Sequence, residues 1–180
     1  RTDYFQKMLR EVVELARIAE DLGFNAVTTT EHHLQSEGLE MGGTAAFHTH
    51  IAANTKHVRV GPTGYVLPAW NPMRLAGEIG WLDQITNGRA LVGLARGYQT
   101  RWYYNMMQRY GSNPKGATPE QIDANSRQAF EEVFEILKLA WKDEPFSFKG
   151  KFWEYPYPHD TGTPWPAASW TEQYGAPGDV

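Results

Sequence analysis

The sequence predicts an α/β fold made of consecutive β/α units. Three observations carry this. Short runs suited to strands begin at residues 26, 58 and 90, so the spacing is 58 − 26 = 32 and 90 − 58 = 32; a βαβ unit needs roughly 30 residues or more. Segments with the apolar spacing of helices lie between them. The third run, Ala90 to Ala95, is nearly all apolar, as in a parallel strand covered on both faces.

Each element follows from local chemistry. Met8, Val12, Leu15, Ala19 and Leu22 form one face of a helix, and Gly23 can cap it in the left-handed conformation. Ala26 to Thr30 is short and rich in β-branched residues, as strands are. Thr44 to Asn54 reads as a helix of small residues, and Val58 to Gly61 as the second strand. Asn71-Pro72 is a helix start, with Asn as the cap and Pro at the first position. That helix buries Leu75, Ile79 and Leu82 and stops near Asn87-Gly88.

Beyond Arg96 the regularity weakens. Trp102 to Arg109 suits a short helix and residues 111–118 a loop. Thr118-Pro119-Glu120-Gln121 is a helix start with a capping box. A long helix follows, with Phe130, Val133, Phe134, Leu137 and Trp141 toward a core. Phe146 to Tyr155 suits a hairpin around Lys149-Gly150, and the Pro-, Gly- and Trp-rich stretch from Pro156 reads as loop.

An open doubly wound sheet would usually carry G-x-G-x-x-G after a strand. Gly93-Leu94-Ala95-Arg96-Gly97 does not match. A (β/α)8 barrel is the better reading, but such barrels close with eight strands in roughly 250 residues. Three clear strands in 180 residues, preceded by a helix rather than a strand, predict an incomplete N-terminal portion. Residues 1–155 are expected to be the partial barrel and 156–180 an irregular tail that continues in a longer chain.

Composition bounds the partners. Hydrophobic residues make up 41% and charged residues 21%, an ordinary globular balance. The net charge of −4 provides no basic footprint for nucleic acid, and no apolar run has the length of a membrane span. With no cysteine there is neither a disulfide nor a thiol nucleophile, which fits a cytoplasmic protein.

In β/α barrels the active site gathers at the C-terminal ends of the strands. Glu31-His32-His33, Thr63-Gly64 and Arg96-Gly97 fall at three such ends. A carboxylate beside imidazoles can orient a ring and fix its tautomer, leaving a histidine to act as a general base. The same three residues could equally form a polar cluster that caps a neighbouring helix. If strand geometry persists, His33 points away from His32. Arg96 offers a planar fork for an oxyanion, or a partner for a surface ion pair. His48-Thr49-His50 has the spacing of a metal pair on a strand, but it lies in a predicted helix, where residues two apart diverge. Trp102-Tyr103-Tyr104 suits a substrate pocket or plain packing.

Taken in order, these residues form a pattern. Glu31-His32-His33 after a strand resembles the E-H-H of bacterial luciferase-like, flavin-dependent monooxygenases. Val58-Arg59-Val60-Gly61, Val66-Leu67-Pro68 and Asn71-Pro72-Met73-Arg74 are similar to that family's V-G, V-L-P and H-P-x-R. Glu78, Leu82-Asp83 and Asn87-Gly88-Arg89 continue the series. Gly93-Leu94-Ala95-Arg96-Gly97 resembles its G-x-x-R-G, and Ala140-Trp141 with Phe146-Ser147-Phe148-Lys149-Gly150 its A-W and F-S-F-x-G. The match runs in register over about residues 8 to 155.

The resemblance implies a (β/α)8 barrel that binds reduced FMN non-covalently and, with O2 and through a C4a-hydroperoxyflavin, oxygenates a small organic substrate. A separate flavin reductase would supply the reduced flavin, and the full-length protein would be a homo- or heterodimer. By position His32 would be the catalytic base, Glu31 would lie near the flavin ring and His33 would support. Thr63 and Gly64, joined by a cis peptide, would lie against the isoalloxazine, and Arg96 would hold the phosphate. Ala95, also at the cofactor, stands where true luciferases carry Cys, so light emission is not implied. Branches that use F420 commonly differ at Glu31-His32-His33, which favours FMN. A metal-dependent barrel hydrolase and a non-catalytic relative of the same fold are the other classes open to this sequence.

Overall fold

The computed structural model describes residues 2–34, 44–97, 100–107 and 116–156. The fold is α/β, with the elements α1 (Thr2–Asp21), β1 (Ala26–Thr29), α2 (Thr44–Ala52), β2 (Arg59–Pro62), β3 (Tyr65–Val66), α3 (Pro72–Thr86), β4 (Leu94–Ala95), α4 (Thr100–Asn105), α5 (Pro119–Ala140), β5 (Phe148–Lys149) and β6 (Glu154–Tyr155). A 3-10 turn, Leu67–Ala69, leads from β3 toward α3.

β1 runs parallel to β2, with Ala26 opposite Arg59 and Thr29 opposite Pro62. β3 runs parallel to β4, with Tyr65 opposite Leu94 and Val66 opposite Ala95. β2 and β3 follow one another along a single path. The 89–95 segment accompanies that path: Val60 N–H donates to the Arg89 carbonyl (3.0 Å), Leu91 N–H to Val60 (3.1 Å), Gly93 N–H to Pro62 (2.8 Å) and Tyr65 N–H to Gly93 (2.8 Å). The third predicted strand, Ala90 to Ala95, is therefore half regular: Ala90 makes an isolated parallel bridge to Val60, and only Leu94–Ala95 is continuous. It is half-buried rather than covered on both faces, and no strand among the described residues pairs with its far edge.

Two cores flank these strands. Ala16, Ile51, Ala52, Val58 and Val60 pack between α1, α2 and the first pair. Tyr65, Leu67, Leu75, Ile79, Trp102, Val133, Leu137 and Trp153 are among those joining β3 to α3, α5 and the hairpin. The helix punctuation agrees with the sequence. Asn71 accepts from Arg74 N–H at 3.1 Å, Asn87 ends α3 in the left-handed conformation, and the Thr118–Gln121 capping box forms. β5 and β6 pair antiparallel, Phe148 opposite Tyr155.

Two expectations of burial are corrected. On α1 the buried residues are Val13 and Ala16, whereas Leu15 is 64% and Leu22 71% exposed. The helix is apolar on two flanks, and only one meets α2 and the strands. On α5, Trp141 is 48% exposed; its indole N–H reaches the Ala76 carbonyl at 3.2 Å while the ring lies outside the core. Phe134 is also exposed and stacks on the partly buried Phe130. The irregular tail expected from 156 to 180 falls, beyond Pro156, outside the described residues.

Candidate active site

β1 stops at Thr29, and the chain turns irregular through Glu31-His32-His33. The Glu31 side chain is almost fully buried, with the residue 2% exposed, which is costly for a carboxylate unless its lone pairs are satisfied. They are. Oε2 accepts the Val66 backbone N–H at 2.6 Å. Oε1 accepts the Trp70 indole N–H at 3.0 Å and His33 Nε2–H at 2.6 Å. These charge-assisted bonds join the end of β1 to β3 and to the turn before α3. Because a carboxylate accepts, the His33 proton is assigned to Nε2.

Trp102, buried on α4, completes the cluster. Its indole N–H donates to the His33 carbonyl at 2.8 Å, and its ring lies edge-on to His33 (5.4 Å between centroids) and to His32 (6.1 Å). Strand alternation would send the two imidazoles to opposite sides. The strand has already ended, and both meet Trp102. His32 is half-buried and makes no hydrogen bond to another described residue.

Val66 ties the strand ends together. Its N–H binds Glu31, it stands opposite Ala95 in the ladder, and its side chain fills the space that a Cβ on Gly97 would need. Gly97 also has a positive φ of 77°, so a side chain there is excluded twice over. Thr63-Gly64 is a cis peptide, and the Thr63 hydroxyl donates to Thr28 Oγ1 at 3.2 Å. A Cβ on Gly64 would overlap the backbone of Gly93 and Leu94. The neighbouring chain itself requires glycine here.

Arg96 follows β4. Its Nη1 pairs with Asp123 Oδ1 on α5 at 2.6 Å, and Arg127 Nη2 approaches the other oxygen of the same carboxylate at 3.4 Å. All three side chains are exposed. Leu94, Arg96, Arg127, Phe130 and Glu131 line an open cleft of about 420 Å³. Arg96 Nη1 donates to a carboxylate oxygen, and the donor chemistry of a guanidinium fits a phosphate group.

His48 behaves as a core residue. It is fully buried. Nδ1–H donates to the Thr44 carbonyl, and Nε2 accepts from the Thr29 hydroxyl at 2.8 Å. Burial lowers its pKa, which the Thr44 carbonyl opposes. His50 is exposed on the other side of α2, so the two rings do not converge on a metal. Burial also pushes the Tyr65 hydroxyl up to about 12; Thr44 eases the shift, and the charges of Glu78 and Glu31 add to it. The Thr44 and Tyr65 hydroxyls form no hydrogen bond of standard geometry.

Sequence reasoning missed Trp70, Asp123 and Arg127. Nothing in their local patterns marks them, since each matters through a residue far along the chain. The sequence shows Trp102 only as an aromatic, and the structure adds its hydrogen bond to the histidine segment. The side chains of Tyr103 and Tyr104 lie outside the described residues.

Parallel strands whose ends carry a carboxylate–imidazole cluster and an arginine paired with a carboxylate are the arrangement of a β/α protein. The sequence pattern of the luciferase-like monooxygenases matches residues 2–173, and the chain belongs to that family. It is 31% identical over 151 residues to the oxygenase component of a flavin-dependent trigonelline monooxygenase from Acinetobacter baylyi, covering 84% of this chain and 38% of that one. The oxygenating constituent of 3,6-diketocamphane monooxygenase from Pseudomonas putida, solved in complex with FMN, superposes with a TM-score of 0.68 at 27% identity, over 83% of this chain and 38% of that one. An F420-dependent secondary alcohol dehydrogenase shares the fold at a TM-score of 0.63 and 22% identity, over 81% and 42% of the two chains. The chain thus spans well under half the length of these relatives.

Proposed function

We propose that the complete enzyme is a monooxygenase that uses reduced FMN and O2 to oxygenate a small organic substrate, and that this chain supplies the N-terminal part of its (β/α)8 barrel over residues 1–155. The observation that carries the reading is the convergence on Val66: the residue that binds Glu31 from the end of β1 also sits in the ladder beside Ala95, one residue from Arg96.

FMN, when bound, supplies the electrons that activate O2. Arg96 holds the flavin phosphate from the end of β4, and Thr63, Gly64 and Ala95 border the ring. His32 moves a proton at a ring nitrogen that no described side chain occupies. Glu31, saturated by three donors, is a brace: it fixes His33, and Trp102 packs against both imidazoles. The relative named as an oxygenase component supports a separate reductase partner. FMN is preferred over F420 because the FMN-bound neighbour is the more similar of the two in sequence. No helix among the described residues is long and apolar enough to cross a membrane, and a cytoplasmic dimer is the proposed state.

The test is a titration of the complete enzyme with reduced FMN, riboflavin and F420, with O2 uptake followed beside it. FMN binding and substrate-dependent O2 uptake support the reading; F420 binding without FMN binding overturns it. Arg96→Ala is expected to weaken FMN by about 1.5–3 kcal/mol, the scale of a charge-assisted hydrogen bond, and to leave riboflavin almost unaffected. Equal losses for both remove Arg96 from the phosphate.

A further inference from the structure

One arm of the fork assigned to the flavin phosphate is already engaged. Arg96 Nη1 holds Asp123 at 2.6 Å, and Arg127 leans on the same carboxylate at 3.4 Å. Glu131 adds a second acid to the cleft. Two cations face two anions, so the formal charges of these four side chains cancel.

We propose that Asp123 is an internal competitor for this site, setting how tightly the enzyme holds a phosphorylated flavin and how far it prefers it to the dephosphorylated form. The proposal rests on reading Arg96 as the phosphate anchor. A phosphate near neutral pH carries about −1.5 to −2 charges and three acceptor oxygens, and the paired N–H groups of a guanidinium match it. A carboxylate brings one charge. The Arg96–Asp123 pair is exposed on both sides, and exposed pairs cost little to open. A phosphate can therefore displace Asp123, but against two opposing effects: the fork must first be vacated, and the displaced carboxylate stays on α5 as a like charge nearby. Neither effect touches riboflavin. Loose holding suits a flavin that arrives reduced from another protein and leaves oxidised.

The experiment uses the complete enzyme as parent, Asp123→Asn and Arg96→Ala, titrated with FMN and with riboflavin by quenching of tryptophan fluorescence, with inorganic phosphate as a competitor. Asp123→Asn is expected to bind FMN about three- to tenfold more tightly, the upper range for an exposed pair together with a removed like charge. Riboflavin stays unchanged, and the dissociation constant of inorganic phosphate, obtained from the competition with each variant's own FMN affinity entered, is lower than in the parent. Asp123→Ala shows the same direction, and thermal midpoints near the parent's confirm that both variants fold. If Arg96→Ala weakens FMN while Asp123→Asn leaves it unchanged or weakens it, the competitor role is overturned and the phosphate reading stands. If Arg96→Ala leaves FMN as tight as in the parent, both fall together.

Discussion

The two ends of the parallel strands are fastened in different ways. At the ends where strands begin, charged side chains bind backbone. The Glu20 carboxylate at the end of α1 accepts the consecutive N–H groups of Lys56, His57 and Val58. Arg89 donates to the carbonyls of Thr86, Val58 and Ala52 at 2.9–3.1 Å, and reaches Thr55 as well. At the ends where strands finish, side chains mostly bind one another: Glu31 with Trp70 and His33, Arg96 with Asp123. Backbone partners cannot turn away without unfolding, whereas side-chain partners can be exchanged for a ligand. On the proposed reading, the difference separates the part of the molecule that holds the fold from the part that would do the chemistry.

The largest expected effect that tests this division is at the chemical end. His32→Ala in the complete enzyme should slow substrate oxygenation by about 10²–10⁴-fold, the range for a lost general base, while the urea midpoint and FMN affinity change little. Single-turnover flavin absorbance at parental rates would make His32 structural. At the other end, Arg89→Ala should cost about 1.5–3 kcal/mol of stability, since it strands carbonyls that now accept from a charged donor. Urea unfolding measures this, and the ratio of FMN to riboflavin affinity should not move; a moved ratio would break the separation of the two ends.

The smallest effect is at Glu20. Burial pushes its carboxyl up, but the N–H groups of His57, Val58 and Lys56 outweigh this, and with the charge of His57 they hold it at about 2, below the ordinary 4.5. A depressed folded-state value stabilises the protein above the ordinary value, and the benefit fades as pH falls through about 4.5 toward 2. Glu20→Gln should therefore cost about 1 kcal/mol near neutrality, with parent and variant converging at acid pH. Stability curves from pH 7 down to pH 3 check the sign; a gap that widens on acidification would refute it.

Much of the fold was legible because its signals are local. Spacing, caps and glycines marked α2, α3, the capping box of α5 and the hairpin within a residue or two at most boundaries. β3 was not legible: Tyr65-Val66 is two residues long, and it is a strand only because residues 93–95 lie beside it. The outward faces of α1 and α5 were misjudged at Leu15, Leu22 and Trp141, since apolar periodicity names a face without saying what covers it. At the site, the strand-end residues were visible as types. Their pairing was not, because Glu31 and Trp70 are 39 positions apart and no pattern in a single chain couples them.

The hairpin after α5 governs how that helix can move. Glu132, buried on α5, accepts the N–H groups of Lys151 (2.8 Å) and Phe152 (2.9 Å), and a Cβ on Gly150 would overlap its carboxylate. This clasp is a fixed pivot. Asp123 lies nine residues nearer the helix start, about 13 Å along the axis at 1.5 Å per residue. A helix pinned at Glu132 cannot slide to carry Asp123 away from Arg96. The carboxylate must swing out by rotation of its own side chain, or the first turns of α5 must loosen while the rest stays in register. Exchange at the arginine is then a motion of a few atoms at the free end of a lever, and the core beneath it need not be disturbed.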